Sequence, residues 1–202
     1  IMGETSPLTE ADIKSNEIII SSLKRSYPDI PIISEENKEI PYETRKHWQY
    51  LFMVDPLDGT KEFIQRNGEF TINIALIEKN NPVIGVVYLP VKNVLYIGDE
   101  INGSFKIENG KNIKMPIINK KSKKIRIVAS KSHFNEETKK FIEELKEKSD
   151  KKIELVSAGS SLKFCLVAEG KADIYPRLGP TMEWDTAAAH AIVKYSGKKV
   201  AN

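Results

Sequence analysis

The spacing of apolar residues in the first part of the chain predicts one helix followed by several strands. Residues 9–12 have the form of a helix capping box, and Ile13, Ile20 and Leu23 follow at helical spacing. We expect this helix to end before Pro28, because proline disfavours a helical conformation in the residue before it. Apolar runs then predict strands at residues 31–34, 51–54, 70–77, 83–89, 96–98 and 104–107. The last four of these are separated by short turns, which favours an antiparallel meander.

The pattern changes after about residue 120, where strands begin to alternate with helices. Strands are predicted at residues 125–129, 153–156 and 172–175, and helices at residues 136–148, 162–169 and 185–195. This alternation is typical of an α/β layer. We therefore expect an α+β fold in two parts: an α+β half at residues 1–120 and an α/β half at residues 121–202.

Composition and charge exclude several classes of protein. Of the 202 residues, 40% are hydrophobic and 29% are charged, an ordinary composition for a soluble protein. A net charge of +3 is too small an excess to predict nucleic-acid binding. The single cysteine, Cys165, excludes an internal disulfide bond and a cysteine-based metal cluster. No apolar run approaches the ~18 residues of a membrane span, and no signal peptide opens the chain, so we expect a cytoplasmic protein. The abrupt start, and an end soon after the last predicted helix, suggest that both termini are trimmed.

Two aspartates three positions apart, at the end of a predicted strand, form the most informative motif. Residues 55–60 read DPLDGT. Pro56 restricts the turn and Gly59 relieves crowding after it, so the carboxylates of Asp55 and Asp58 can converge on one point. Mg²⁺ prefers oxygen ligands of this kind and usually keeps water and substrate phosphate as well.

The residues after this turn suggest a phosphate contact. If residues 61–65 form a helical turn, the N–H groups of Gly59 and Thr60 lie at a helix N-terminus, which binds phosphate readily. Asp-Pro and Asp-Gly are also common turn formers, and either one alone would more often be structural. The spacing fits neither an EF-hand calcium loop nor a phosphatase with a covalent aspartate nucleophile.

Other acidic residues recur near the ends of predicted elements. Glu35 and Glu36 follow the strand at residues 31–34, and Asp185 opens the last predicted helix. Each has a structural explanation: Glu35 and Glu36 can form an acidic surface turn, and Asp185 can be an N-cap or first-turn acid, which stabilises a helix by ~1 kcal/mol. Asp12 is explained in the same way by its place in the capping box. Several such features in one chain nevertheless favour a shared metal site.

Taken together, these motifs resemble the inositol monophosphatase superfamily of lithium-sensitive, magnesium-dependent phosphatases. That family carries Glu-Glu, then DP(I/L)DGT, then WDxAA, in this order. Here EE stands at residues 35–36, DPLDGT at 55–60 and WDTAA at 184–188, so the resemblance covers nearly the whole chain. The segments DGTKEFI at residues 58–64 and GSSLKFCLVAEG at 159–170 are similar to a narrower branch, the CysQ-type 3′(2′),5′-bisphosphate nucleotidases.

The resemblance implies a layered αβαβα sandwich with an active site between the two halves and two or three Mg²⁺ ions. The implied metal ligands are Glu35, Asp55, the carbonyl of Leu57, Asp58 and Asp185. The implied catalytic residues, which orient or deprotonate the attacking water, are Asp12, Glu35 and Thr60. The implied substrate contacts are Glu35, Leu57, Asp58, Gly59, Thr60, Ser130, His133, Gly159, Lys163 and Asp185. Arg177 is a weaker candidate for anion binding.

The implied reaction is hydrolysis of adenosine 3′,5′-bisphosphate to AMP and phosphate by water, without a phospho-enzyme. The implied partner is thus a small phosphonucleotide rather than a nucleic acid, and the implied assembly is a monomer or a homodimer. An inositol monophosphatase or a broad sugar phosphatase is the alternative. A phosphonucleotide-binding protein without turnover is a third hypothesis, which the full set of acids disfavours. Taken alone, His133 would more often be a surface residue, and Lys163 could equally be a solvated helix lysine.

Overall fold

The computed structural model describes residues 8–117, 123–130 and 135–201. The first part of the chain forms one large sheet, with one helix before its first strand and two helices between its strands. The helices of this part are α1 (Glu10–Ser26), α2 (Tyr42–Arg45) and α3 (Thr60–Ile64). Its strands are β1 (Ile32–Ser34), β2 (Tyr50–Asp58), β3 (Thr71–Glu78), β4 (Asn81–Leu89), β5 (Val94–Asp99), β6 (Gly103–Glu108) and β7 (Lys111–Lys114). They lie side by side in chain order, with β1 parallel to β2 and every later neighbour antiparallel.

The second part of the chain forms a smaller parallel sheet and three helices. Its elements are β8 (Lys124–Ala129), α4 (Glu136–Lys148), β9 (Lys152–Ser157), α5 (Leu162–Glu169) and α6 (Glu183–Tyr195). Strands β8 and β9 are parallel and are connected through α4. No helix in the described ranges combines the length and the apolar character that crossing a membrane requires.

Helices cover both faces of the large sheet. On one face, α1 packs against β2, and the Tyr27 ring after α1 lies 5.5 Å from the ring of Phe52. Alternate residues of a strand point to opposite faces, and α6 packs on the other face against β2 to β6. This approach is close: a Cβ added to Gly85 of β4 would lie 2.0 Å from the carbonyl oxygen of Ala188. Helix α5 contacts both α6 and β8, so helices lie between the two sheets, and the predicted layered α+β architecture is confirmed.

Most predicted elements are found, with one wrong strand and two omissions. Residues 172–175 form no strand, and only an isolated parallel bridge joins Ile174 to Ile127. The N–H groups of Asp173 and Ile174 both donate to the carbonyl of Arg126, and Pro176, which has no N–H, follows closely. The short elements α2 and β7 were not predicted. The division at residue 120 stays a prediction.

Candidate active site

A β-bulge at the end of β2 brings the two aspartates of the DPLDGT motif to one side. In a regular strand, residues three apart point to opposite faces. Asp55 pairs with Asn73 and Asp58 with Thr71, so three steps along β2 match two steps along β3. The extra residue re-aims the strand, as bulges do near functional sites. The carboxylates of Asp55 and Asp58 consequently line the same cavity.

Two further acids reach this cavity from other elements. Glu35 directly follows β1, and its N–H donates to the carbonyl of Val54 in β2 at 3.2 Å. Because β1 and β2 are parallel, their ends meet at the same edge of the sheet. Asp185 is the third residue of α6 and caps it: one carboxylate oxygen accepts from the N–H of Met182 at 3.1 Å and from the hydroxyl of Thr181 at 2.7 Å.

Most of the predicted site residues line this cavity, which has a volume of about 640 Å³. They are Glu35, Asp55, Leu57, Asp58, Gly59, Thr60, Ser130, Lys163 and Asp185. Gly59 has φ +93° and precedes α3, and a Cβ there would lie 3.1 Å from the Cβ of Ser160. Both the left-handed backbone and the close approach of the two loops therefore require glycine at this position.

Burial and mutual repulsion raise the pKa values of the clustered acids. Burial is the main reason that the pKa of Glu35 rises to about 7, and the negative charges of Asp185 and other nearby acids add to the rise. The pKa of Asp55 is raised well above its usual range by burial and then by the charges of Asp58 and Glu35. Burial also raises the pKa of Asp58, against the opposing charge of Lys163.

This set of groups fits a hard divalent cation by its chemistry. Carboxylate oxygens are the ligands that Mg²⁺ prefers, and a cation between buried carboxylates offsets the repulsion between their charges. Within the described ranges, no three acidic, histidine or cysteine side chains lie close enough together to hold one ion as they stand. The fit thus rests on the donor atoms and their burial rather than on a finished coordination shell.

Buried polar residues outside the predicted set support the aspartates. The hydroxyl of Thr71 donates to Asp58 Oδ2 at 3.3 Å, and the backbone N–H of Ser161 donates to the same oxygen at 2.6 Å. Asn73 Nδ2 donates to the hydroxyl of Ser161 at 3.0 Å. One signal could have identified Thr71 and Asn73: they are polar residues on the buried face of a strand whose other inward residues are apolar.

Positive side chains lie beside the acids. Lys163 of α5 is 5% exposed, and its Nζ lies 5.6 Å from the centre of the Tyr175 ring. Burial lowers the pKa of Lys163, while the charge of Asp58 opposes that effect. Arg177 also lines the cavity, with its Nη2 3.9 Å from Asp185 Oδ2. The cavity thus offers an anionic ligand two cationic side chains next to the acidic cluster.

Three predicted site residues do not line this cavity. Asp12 is buried, and its carboxylate accepts from the N–H of Thr9 at 2.8 Å, which is its capping role. No hydrogen bond joins Asp12 to Thr60 in the part of the chain that the structure describes. Gly159 borders a small adjoining cavity, where its N–H donates to Glu69 at 3.0 Å. His133 lies outside the described residues. The roles predicted for all three stay predictions.

Comparisons with known proteins agree with the motifs. The model of the inositol monophosphatase family matches residues 2–202. The 3′(2′),5′-bisphosphate nucleotidase CysQ of Escherichia coli K12 is 47% identical over 198 residues, covering 98% of this chain and 77% of the relative. The same enzyme of Buchnera aphidicola is 45% identical over 204 residues, covering 98% and 71%. The crystal structure of CysQ from Bacteroides thetaiotaomicron superimposes with a TM-score of 0.87 at 47% identity, covering 97% of this chain and 76% of that chain.

Proposed function

Because the chain belongs to the inositol monophosphatase family, we propose that it acts as a phosphomonoesterase that hydrolyses adenosine 3′,5′-bisphosphate to AMP and phosphate. Relatives that are 45% to 47% identical along almost the whole chain carry the name 3′(2′),5′-bisphosphate nucleotidase. The observation that carries the proposal is the cavity itself, where the four acids predicted to bind metal lie beside Lys163 and Arg177. A substrate with two phosphate groups can bind both parts of the cavity: one phosphate contacts the acids through a metal ion, and the other contacts the cationic side chains directly.

Enzymes of this family depend on a metal, typically Mg²⁺. In our proposal two or three Mg²⁺ ions bind, and the ligands are Glu35, Asp55, the carbonyl of Leu57, Asp58 and Asp185. When bound, such ions neutralise phosphoryl oxygens and make water more acidic. The raised pKa values of Glu35 and Asp55 support this assignment, because a cation that replaces the proton stabilises the ionised form of each carboxylate.

In this proposal, different residues position the attacking water and the phosphate that is cleaved. Glu35 and Thr60 orient the attacking water, with Asp12 as a further candidate, and the N–H groups of Gly59 and Thr60 hold the phosphate that is cleaved. The water oxygen forms a bond to phosphorus on the side opposite the 3′-oxygen, and the water gives up one proton to solvent. The bond from phosphorus to that oxygen breaks, and the leaving oxygen takes a proton from solvent. A single displacement of this kind inverts the configuration at phosphorus.

The other end of the nucleotide would be held by residues of the second half of the chain. We assign the phosphate that is not cleaved to Lys163, with Arg177 beside it. Ser130, His133 and Gly159 are the further nucleotide contacts that the sequence predicts. The assembly, a monomer or a homodimer, and the cytoplasmic location also stay predictions.

The test is phosphate release from adenosine 3′,5′-bisphosphate with Mg²⁺, measured beside inositol 1-phosphate and repeated with Li⁺. We expect fast release from the nucleotide, strong inhibition by Li⁺ and little release from inositol 1-phosphate. Asp58→Asn should lose nearly all of this activity, whereas Asp99→Asn, a change at a surface aspartate of β5, should retain it. Faster release from inositol 1-phosphate would move the protein to the inositol monophosphatase alternative. Absence of release from both substrates would overturn the proposal.

A further inference from the structure

Two buried polar residues, Asn73 and Ser161, connect the elements that carry the acids. Asn73 lies on β3 and Ser161 directly precedes α5, and each is 1% exposed. Asn73 Nδ2 donates to the hydroxyl of Ser161 at 3.0 Å, and that hydroxyl donates to the carbonyl oxygen of Asp185 at 3.0 Å. The backbone N–H of Ser161 donates to Asp58 Oδ2 at 2.6 Å. Ser161 is therefore bonded to both the end of β2 and the start of α6.

The charges around Asn73 determine which way its amide points. Nδ2 lies 3.5 Å from Asp55 Oδ2 and 3.4 Å from Asp58 Oδ2. At these lengths the hydrogen bonds are weak, but the positive end of the amide still faces two carboxylates. A reversed amide would turn its oxygen toward both carboxylates and would lose its bond to Ser161. Within the described ranges Asn73 Oδ1 has no hydrogen-bond partner. The side chain thus keeps this orientation although one buried polar atom is left unpaired.

We propose that Asn73 and Ser161 are positioning residues, which hold the carboxylate of Asp58 and the backbone at Asp185 in the arrangement that binds the divalent cation. The inference rests on the proposed function, since it takes these acids to be metal ligands. Partners that orient metal ligands typically change metal affinity 10–100-fold when they are removed. Ser161 adjoins Ser160, which lines the same cavity. One short segment therefore supports the metal ligands and also faces the substrate.

A second buried serine separates this role from simple stabilisation of the fold. Ser104 of β6 is fully buried, and its hydroxyl donates to the carbonyl oxygen of Ile192 at 2.7 Å. It is the same residue type, and it makes the same kind of bond to the same helix, α6. The bond lies more than a turn further along the helix than Asp185, away from the acids. Ser104→Ala is therefore a matched control for Ser161→Ala.

The experiment measures Mn²⁺ binding by electron paramagnetic resonance in the absence of substrate, with thermal unfolding in EDTA alongside. We expect both serine variants to unfold at lower temperature than the wild type. Ser161→Ala alone should raise the Kd for Mn²⁺, by about 10-fold. Equal Kd values for Ser161→Ala and the wild type would overturn the proposal. If Ser161→Ala does not fold, Asn73→Ala is judged by the same criterion.

This design separates the inference from the function on which it rests. If the wild type does not bind Mn²⁺, the metal site of the proposed function fails, and the positioning role fails with it. If the wild type binds Mn²⁺ and the variant binds equally well, only the positioning role fails. Turnover is not measured, so an error in the assigned nucleotide does not affect the result.

Discussion

Lys163 is a buried lysine whose replacement tests the substrate assignment directly. Its side chain is 5% exposed and faces the cavity beside Asp58. Lys163→Met removes the charge and keeps an unbranched chain of similar length, so packing against the Tyr175 ring is largely retained. A hydrogen bond to a charged group contributes about 1.5–3 kcal/mol. Since 1.4 kcal/mol is a factor of ten, the expected loss is about 10- to 100-fold.

The assay compares two substrates that differ only in the phosphate assigned to Lys163. We expect Lys163→Met to lower kcat/KM for adenosine 3′,5′-bisphosphate by that factor and to leave kcat/KM for 3′-AMP nearly unchanged, because 3′-AMP has no 5′-phosphate. Lys106→Met is the matched control. Lys106 is equally buried, at 6% exposure, but its Nζ pairs with Glu108 at 2.9 Å, outside the cavity. The control should lower stability without changing the substrate ratio. Equal losses on both substrates in Lys163→Met would refute the assignment.

Three further predictions concern stability. Asp55→Asn should stabilise the metal-free protein by about 1 kcal/mol in urea unfolding with EDTA, because burial and nearby acids disfavour the charge of Asp55. The same variant should lose Mg²⁺-dependent turnover. A variant less stable than the wild type would contradict the repulsion argument. Gly85→Ala should destabilise by about 1–3 kcal/mol in thermal unfolding, because its Cβ would lie 2.0 Å from the carbonyl oxygen of Ala188; an unchanged Tm would show that α6 does not pack this closely. Burial acts to raise the pKa of Asp173, but hydrogen bonds from Arg126 outweigh it and lower that pKa. A carboxyl group with a lowered pKa stabilises the fold at pH values above its unfolded-state pKa. This stabilisation is lost as the pH falls through the folded-state pKa. Asp173→Asn should therefore cost about 0.5–1 kcal/mol at neutral pH, and its difference from the wild type should shrink as the pH falls below about 4 and through the lowered pKa; a difference that persists in acid would contradict this.

Local sequence signals predicted the elements well where apolar spacing is regular. The bounds predicted for α4 and α5 agree with the structure, because a helical period over two or more turns leaves little choice of register. The strand predicted at residues 172–175 failed because a short apolar run does not guarantee a pairing partner. The N–H groups of Asp173 and Ile174 donate instead to the carbonyl of Arg126, and only Ile174 forms a bridge.

The candidate site was predictable where its residues share a motif. The DPLDGT segment indicated that Asp55 and Asp58 converge, although the bulge that achieves this depends on pairing with β3 and is not visible in the motif. Asn73 and Ser161 were missed for a related reason. Their contacts join residues that are far apart in the sequence. Asn73 could have been noticed as a polar residue on the apolar face of β3, but its partners could not, and Ser161 stands in a loop without such a pattern.

The close packing of α6 on the large sheet has a consequence for how the protein is made. Three of the four acids lie on or beside the first two strands, but Asp185 is carried by α6, and α6 leaves the ribosome long after that sheet. Until α6 docks, the face of β4 around Gly85 is uncovered. Asp185 is then also absent from the cluster of acids at the ends of β1 and β2. The nascent chain therefore exposes an apolar sheet face during synthesis, which is the condition under which chains aggregate. Docking of this single helix covers that face and completes the acidic cluster in the same step.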